Sequence, residues 1–437
     1  MNIKVAFHNL GCKVNTYEME TMIKALAERG FIIVPFEQRS DIYIINTCSV
    51  TNIADRKSRQ MIHRARSANP EAVIVAAGCY VNTHGDKEVS ADGVDICVVN
   101  EQKKNIADIL EKYLKDKALA ASSDISPGPD ISGGGILHTR CFIKVQDGCD
   151  QFCTYCIIPY ARGRIHSRPV KEVTDEIRRY ADNGYREFVP TGIHISSYGK
   201  DRPGDGEDLL GLMKGISDIE RVERIRLSSL EPRLITEEFA EGLGSIRQIC
   251  PHFHLSLQSG ADSVLKRMNR HYTSDEYLRA VEILRRHFDD PAITTDIITG
   301  FPGETEEEFG ETVRLVKKAG FYETHIFKYS RRRGTAADRM DGQLSEKVKH
   351  ERSAALSEIN KAQKRIFEDR HISKGAVYEI LFEDTEEVNG RRYRVGYTRE
   401  YIKVYGDAAE YDMGEIAAGR IKRQGGIILL ESGGGGD

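Results

Sequence analysis

Nowhere in the chain does an apolar run approach the roughly 20 residues that cross a bilayer. No membrane-spanning helix is expected. The opening stretch, residues 1–7, lacks the charged and apolar regions of a secretion signal and reads as a strand, so the expected location is cytoplasmic. An excess of positive charge is missing too: 63 Lys and Arg stand against 67 Asp and Glu, for a net charge of −4. Any RNA contact must therefore rest on local basic patches. With 40% hydrophobic and 30% charged residues, the 437-residue chain reads as a soluble globular protein of two or three domains. Nine cysteines are present. Disulfides rarely persist in a reducing compartment, so metal ligation or catalysis is the usual reason to carry them.

Residues 1–117 alternate short β-branched runs with helical stretches. Ile3–Phe7, Ile42–Ile45, Ala72–Ala76 and Val94–Val99 predict strands, and Thr16–Arg29 and Ile53–Ser67 predict helices. The pattern predicts an open, parallel α/β sheet of βαβ units. Residues 118–138 are small, polar and rich in Pro and Gly, which marks a linker. Between 139 and 373 come six strand candidates: Cys141–Val145, Arg186–Val189, Arg224–Ser228, Phe253–Leu257, Ile293–Ile298 and Thr324–Tyr329. The first five lead into helical patterns such as Val170–Asn183 and Ser274–His287, predicting a partial (β/α)6 barrel. Ser345–His371 reads as a long charged helix. Over 374–437, Val377–Phe382, Arg392–Tyr397 and Tyr401–Tyr405, with an Asn389-Gly390 turn, predict a small all-β domain.

Cys149, Cys153 and Cys156 have the spacing C-x3-C-x2-C. A loop this compact can wrap three thiolates around three irons of a [4Fe-4S] cubane, leaving the fourth iron unligated. That iron can accept the amino and carboxylate groups of S-adenosylmethionine (SAM), whose S–C bond then breaks on receipt of one electron. A zinc site wants four ligands, commonly as paired C-x2-C units, and no second pair follows. The loop succeeds the first barrel strand, on the face where barrel active sites sit.

A second set is spread along the chain. Cys12, Cys48 and Cys79 each stand just beyond one of the first three strands. Parallel strand ends emerge at one edge, so these three should converge, with small neighbours Gly11, Thr47 and Gly78 leaving room for bulky sulfide. Any one of them alone would read as a small buried hydrophobe. Three at equivalent positions read as a second cluster site. Cys97, Cys141 and Cys250 read as core.

The segment Cys141–Arg168 (CFIKVQDGCDQFCTYCIIPYARGRIHSR) closely resembles the methylthiotransferase branch of the radical SAM superfamily. Further matching motifs are Thr191–His194, Ser228–Pro232, Leu257–Gly260, Gly300–Glu304 and Tyr329-Ser330. The resemblance covers nearly the whole chain. It implies an N-terminal cluster domain (1–117), a radical SAM core (139–373) and a C-terminal TRAM domain (374–437). It also implies two [4Fe-4S] clusters and SAM as cofactors, the N-terminal cluster keeping an open iron that carries sulfur. Around SAM it implies the backbone at Tyr155 near adenine and Thr191-Gly192 at the methionyl amino group. Ser229 and Glu231 should face the ribose or methionine, Gln258 ends the fourth strand, and Gly300 and Gly303 should pass close to adenine. Each polar residue could instead be a locally bonded strand cap. Pro190 stands where the family usually has an aliphatic residue, and it removes a backbone donor from a strand expected to be internal.

The family modifies either an adenosine beside the tRNA anticodon or a ribosomal-protein aspartate. Ala161–Arg164, with Arg168, resembles the tRNA-modifying members. Gly192–His194 and Cys12–Asn15 look most like the enzymes acting on N6-threonylcarbamoyladenosine, with isopentenyladenosine enzymes the nearest alternative. The tRNA anticodon loop, an electron donor (flavodoxin-like or similar) and a sulfur source are the implied partners. Local basic groups suit RNA phosphates: Arg332 within Arg331–Arg333, and Arg391, Arg392, Arg394 and Arg399 in one hairpin beside Tyr393 and Tyr397. Against this, residues 374–437 hold nine Lys and Arg and twelve Asp and Glu. A reading of a different class is an iron-sulfur sensor or RNA-binding protein that never cleaves SAM. The intact triplet with polar strand ends favours the enzyme.

Overall fold

The computed structural model describes residues 3–117 and 139–431, so the expected linker lies outside the described residues. The described residues of 1–136, with 147–165 and 330–339, form one compact unit; those of 137–146, 166–329 and 340–437 form a second.

In the first unit, β1 (Lys4–Asn9), β2 (Ile32–Val34), β3 (Ile42–Thr47), β4 (Val73–Gly78) and β5 (Ile96–Val98) pair in parallel, in the order β2-β1-β3-β4-β5. Every residue of β3 and β4 is buried, as parallel strands covered on both faces require. Ile42 and Ile44 join one apolar cluster with Met22 and Leu26 of α1 (Lys13–Glu28). Tyr43 and Ile45 join another with Ile62 and Ala65 of α2 (Asn52–Ala68). Helix α2 starts where Thr51 Oγ1 accepts the Ala54 amide at 3.1 Å. Three further helices follow: α3 (Cys79–His84), α4 (Asp86–Ala91) and α5 (Ile106–Asp116). The short α6 (Ile158–Arg162) packs on α3.

The second unit begins with β6 (Arg140–Lys144). Gln146, the first residue of the two-residue strand β7 (Gln146–Asp147), ends this piece of the unit, which resumes with β8 (His166–Ser167) and helix α7 (Val170–Asp182). Then come β9 (Glu187–Thr191), α8 (Leu209–Ser217), β10 (Arg224–Ile225), α9 (Glu237–Gly244), β11 (His252–His254), α10 (Asp262–Arg267), α11 (Ser274–His287), β12 (Ala292–Thr299), α12 (Glu306–Ala319) and β13 (Glu323–Lys328). The ladders β6-β9-β10 and β11-β12-β13 are parallel, and single bridges between Ile225 and Ile249 and between Leu230 and Leu255 join them. The six expected barrel strands thus stand in chain order. Ile143, Phe188, Ile225, Phe253 and Ile293 point outward into one core with Val173, Leu212, Leu243, Leu284 and Val316 of the surrounding helices.

Pro190 costs this sheet no ladder bond. Phe188 O accepts from Arg226 N at 2.9 Å, toward β10, whereas Thr191 O accepts from Val145 N at 2.8 Å, toward β6. Pro190 is in phase with Phe188 and faces the β10 side, where pairing ends at Ile225. A proline fits where no acceptor waits.

Helix α13 (Glu346–Ser373) leads to β14 (Tyr378–Val388), β15 (Arg391–Tyr397), β16 (Lys403–Asp407), β17 (Ile416–Gln424) and β18 (Ile427–Glu431), closed as a barrel in the order β14-β15-β16-β18-β17. Sequence patterning predicts only the first three strands. The hairpin β17–β18 turns on Gly425-Gly426, both at positive φ.

Candidate iron-sulfur and SAM-binding sites

The three N-terminal cysteines stand at neighbouring strand ends of the first unit. Cys12 caps α1, Cys48 follows β3, and Cys79 opens α3. Space among them is kept by glycine. A Cβ on Gly11 (φ +114°) would lie 3.1 Å from Cys48 Sγ, and one on Gly78 (φ +107°) 2.9 Å from Thr47 O. Cys48 and Cys79 are 7% and 3% exposed. Burial, with the nearby Cys79 and Cys12 sulfurs, pushes the Cys48 thiol up to about 11 against the Val50 amide. A buried thiolate here requires positive charge beside it.

The polypeptide supplies some. Arg162 (side chain 1% exposed) and Lys103 converge on Glu18: Arg162 Nη1 donates to Glu18 Oε1 at 2.9 Å and Lys103 Nζ to Glu18 Oε2 at 2.6 Å. Arg162 Nη2 also donates to Asn15 Oδ1 at 2.7 Å. Burial pulls Arg162 down, but Cys79, Glu18 and Asp147 outweigh it and hold the guanidinium well above its ordinary value. Asn100 Nδ2 lies 3.7 Å from Cys79 Sγ and donates to Ala161 O at 3.0 Å. Burial, the largest effect, with Arg162 beside it, pulls the Lys103 ammonium below its ordinary value despite Glu18, so Arg162 is the firmly held cation that, with three convergent sulfurs, suits an anionic iron-sulfur group. Arg162→Ala leaves Glu18 buried with one cation fewer. The expected cost is about 3–5 kcal/mol, measured by anaerobic chemical denaturation, with less iron retained.

The C-x3-C-x2-C loop belongs to the same unit. Cys149 N donates to Gly163 O at 3.1 Å and Cys156 N to Cys153 O at 2.9 Å, while Phe152 holds a left-handed φ of +46°. Ala337 N donates to Thr154 O at 2.8 Å, so segment 330–339 backs the loop. Tyr155 is half-buried within it. The three thiols, with no fourth cysteine in the loop, fit a cubane that keeps one iron open.

In the second unit the strand-end motifs meet. His194 N donates to Gln146 Oε1 at 2.8 Å, and Glu231 N donates to Ser196 Oγ at 2.8 Å. His194 Nε2 lies 3.3 Å from Glu231 Oε2. Burial raises the Glu231 carboxyl, but His194, Arg270 and Arg233 together hold it below its ordinary value. Its Oε1, like Ser228 Oγ, is buried with no hydrogen-bond partner among the described residues. Such orphaned atoms call for a polar ligand, and they fit SAM. Thr191 is buried and Gly192 partly so, beside this pair, whereas Ser229 is exposed. Gln258 bends out of line at φ +69°, rare for a residue with a side chain. A Cβ on Gly300 would lie 2.3 Å from Lys349 Cγ of α13, and Gly303 N donates to Gly342 O at 2.9 Å.

Three of the arginines expected on RNA are engaged within their own unit. Arg332 is buried, donating to Asp55 Oδ2 at 2.5 Å, Ser49 Oγ at 2.8 Å and Asn52 Oδ1 at 2.9 Å; it pins segment 330–339 and is not free for a phosphate. Arg394 donates to Thr385 Oγ1 at 2.6 Å and Tyr411 O at 2.9 Å, and Arg399 to Ile249 O at 3.0 Å. Arg391 is exposed and pairs with Asp407; Arg392 is exposed. Arg391 and Tyr393 line a surface groove with Arg420 and Lys422. Glu18, Lys103 and Asn100 escape a reading of the sequence, because no local pattern brings together side chains 85 residues apart around one carboxylate.

Comparison with known proteins agrees with this chemistry. Residues 143–316 match the radical SAM superfamily, and residues 4–100 match a family described as uncharacterized protein family UPF0004. A Bacillus subtilis protein named threonylcarbamoyladenosine tRNA methylthiotransferase MtaB is 39% identical, covering 96% of this chain and 94% of its own. A Caldicellulosiruptor saccharolyticus protein named tRNA-2-methylthio-N(6)-dimethylallyladenosine synthase is 34% identical, over 87% of this chain and 82% of its own. In fold, the chain is similar to the radical SAM methyltransferase TsrM of Kitasatospora setae, with a TM-score of 0.54 at 17% identity over 75% of each chain. The radical SAM match brings SAM and a [4Fe-4S] cluster as cofactors. A relative this similar over nearly its full length leaves one conclusion: the chain belongs to the radical SAM methylthiotransferase family.

Proposed function

We propose that this protein is a tRNA methylthiotransferase that converts N6-threonylcarbamoyladenosine at position 37 to its 2-methylthio form. The reading rests on two separate cysteine triads in one chain, one for each half of the chemistry. Its substrate rests on likeness: 39% identity to a relative named for threonylcarbamoyladenosine, against 34% to one named for dimethylallyladenosine. When bound, a cluster on Cys149, Cys153 and Cys156 supplies the electron that cleaves SAM, and one on Cys12, Cys48 and Cys79 supplies sulfur. Glu231, with Thr191, Gly192, Ser229 and Gln258, orients SAM; the backbone at Tyr155 meets its adenine. Gly300 and Gly303 let the backbone pass close to the adenine. Residues 1–117 act as the cluster domain, 139–373 as the radical SAM core and 374–437 as the TRAM domain. A one-electron donor and a sulfur source complete the reaction.

In this reading Arg391 and Arg392 carry the RNA contact of the TRAM domain. Arg391→Gln with Arg392→Gln should weaken tRNA binding and flatten the slope of log affinity against log salt by about 0.7–0.9 per charge. Filter binding at several salt concentrations reads this, and an unchanged slope would assign the hairpin to internal packing. The function itself is tested by nucleoside mass spectrometry of tRNA from a strain lacking the gene. The 2-methylthio-threonylcarbamoyl nucleoside should vanish and its unthiolated form accumulate; loss of only the isopentenyl counterpart contradicts the substrate.

A further inference from the structure

Three adjacent strands of the second unit bring together ionisable side chains that neither cysteine site uses. His254 ends β11, Asp296 lies in β12 and His325 in β13; Asp296 and His325 are direct partners in the parallel register. On β12, Ile293 and Ile297 point outward into the helix-covered core. Asp296, of opposite parity, points to the inner side. Phe253 and Leu255 likewise place His254 inward. His254 Nε2 lies 3.2 Å from Asp296 Oδ2, and the two imidazole rings stack at 5.7 Å between centroids. One donor atom from each of the three residues falls within 4.8 Å of the other two.

We infer that His254, Asp296 and His325 form a site for a divalent transition-metal ion. Two imidazoles and one carboxylate are a recurring facial ligand set, and they suit zinc or ferrous iron better than magnesium or calcium. The spacing agrees: bonds of about 2.0–2.1 Å to a tetrahedral ion put neighbouring ligand atoms about 3.3 Å apart, close to the 3.2 Å between His254 and Asp296. His254 Nδ1 lies 3.0 Å from Thr294 Oγ1, a partner that can fix the tautomer and leave Nε2 for the ion. His325 is exposed and its donor atom already falls within 4.8 Å of the other two, so a small rotation of its ring closes the third bond. The fourth position stays open on the inner side of the sheet for water or an oxygen donor. No sulfur belongs to the set, which separates it chemically from both cysteine triads.

Zinc is the probe, because it binds such ligands above ferrous iron and displaces residual iron from them. Anaerobically reconstituted holoenzyme is dialysed against micromolar Zn²⁺, and zinc and iron are counted by mass spectrometry. Wild type should hold about one more zinc per chain than His254→Gln or His325→Ala, at equal iron. His325→Ala, at an exposed position, should weaken zinc binding at least tenfold without disturbing the core. Zinc should raise the melting temperature of wild type and not of this variant. Equal zinc in wild type and variants overturns the site and leaves His254 and Asp296 as a side-chain contact only.

Discussion

Replacing Cys149, Cys153 and Cys156 together by alanine is expected to lower bound iron from about eight to about four per chain and to abolish 5′-deoxyadenosine formation. The loss should be complete rather than graded. The loop supplies three thiols within eight residues and no substitute cysteine, so the cluster that receives SAM has nowhere else to form. The loop's own fold should survive. Its backbone is held by bonds such as Cys149 N to Gly163 O, and α6 is anchored through buried Arg162 to Glu18 and Asn15. The check is iron analysis with chromatography of SAM incubated with dithionite. Persistent 5′-deoxyadenosine in the triple variant would reassign the radical site.

Alanine at Cys12, Cys48 and Cys79 has the complementary expected result: methylthio transfer falls to background while SAM cleavage continues at the wild-type scale. Iron should again settle near four per chain. Removing these thiols leaves Lys103 and Arg162 facing one partner fewer, yet both keep Glu18. The sheet beneath is closed by apolar contacts on both faces, independent of the sulfurs. Loss of both activities in a folded protein that retains the other cluster would contradict the division of labour.

Much of this could be read from the chain. Continuous apolar runs locate β1, β3, β4, β5 and all six barrel strands, since parallel strands buried on both faces are written that way. The rule that parallel strands end at one edge brings Cys12, Cys48 and Cys79 together before any coordinate is known. What escaped has physical reasons. β2 is three residues long, and β17 carries Arg420 and Lys422 on its outward face with Arg423 between them and the strand end, a run of charge that masks it as a strand. Arg332 reads as a surface arginine because its neighbours are charged, but Asp55, Ser49 and Asn52, far away in sequence, enclose it. Pro190 reads as a defect because the early end of β10 is invisible in sequence. The packing of Lys349 against Gly300 depends on a helix that begins 46 residues later.

Methylthiolation of threonylcarbamoyladenosine in tRNA is open to a direct competition experiment. Reconstituted enzyme, SAM and dithionite are given an equal mixture of two tRNAs, one carrying N6-threonylcarbamoyladenosine and one isopentenyladenosine at position 37, and the digested nucleosides are analysed by mass spectrometry. 2-Methylthio-N6-threonylcarbamoyladenosine is expected as the dominant product, formed only with both cysteine triads intact. Methylthio product confined to the isopentenyl tRNA, or 5′-deoxyadenosine released with neither tRNA modified, would contradict it.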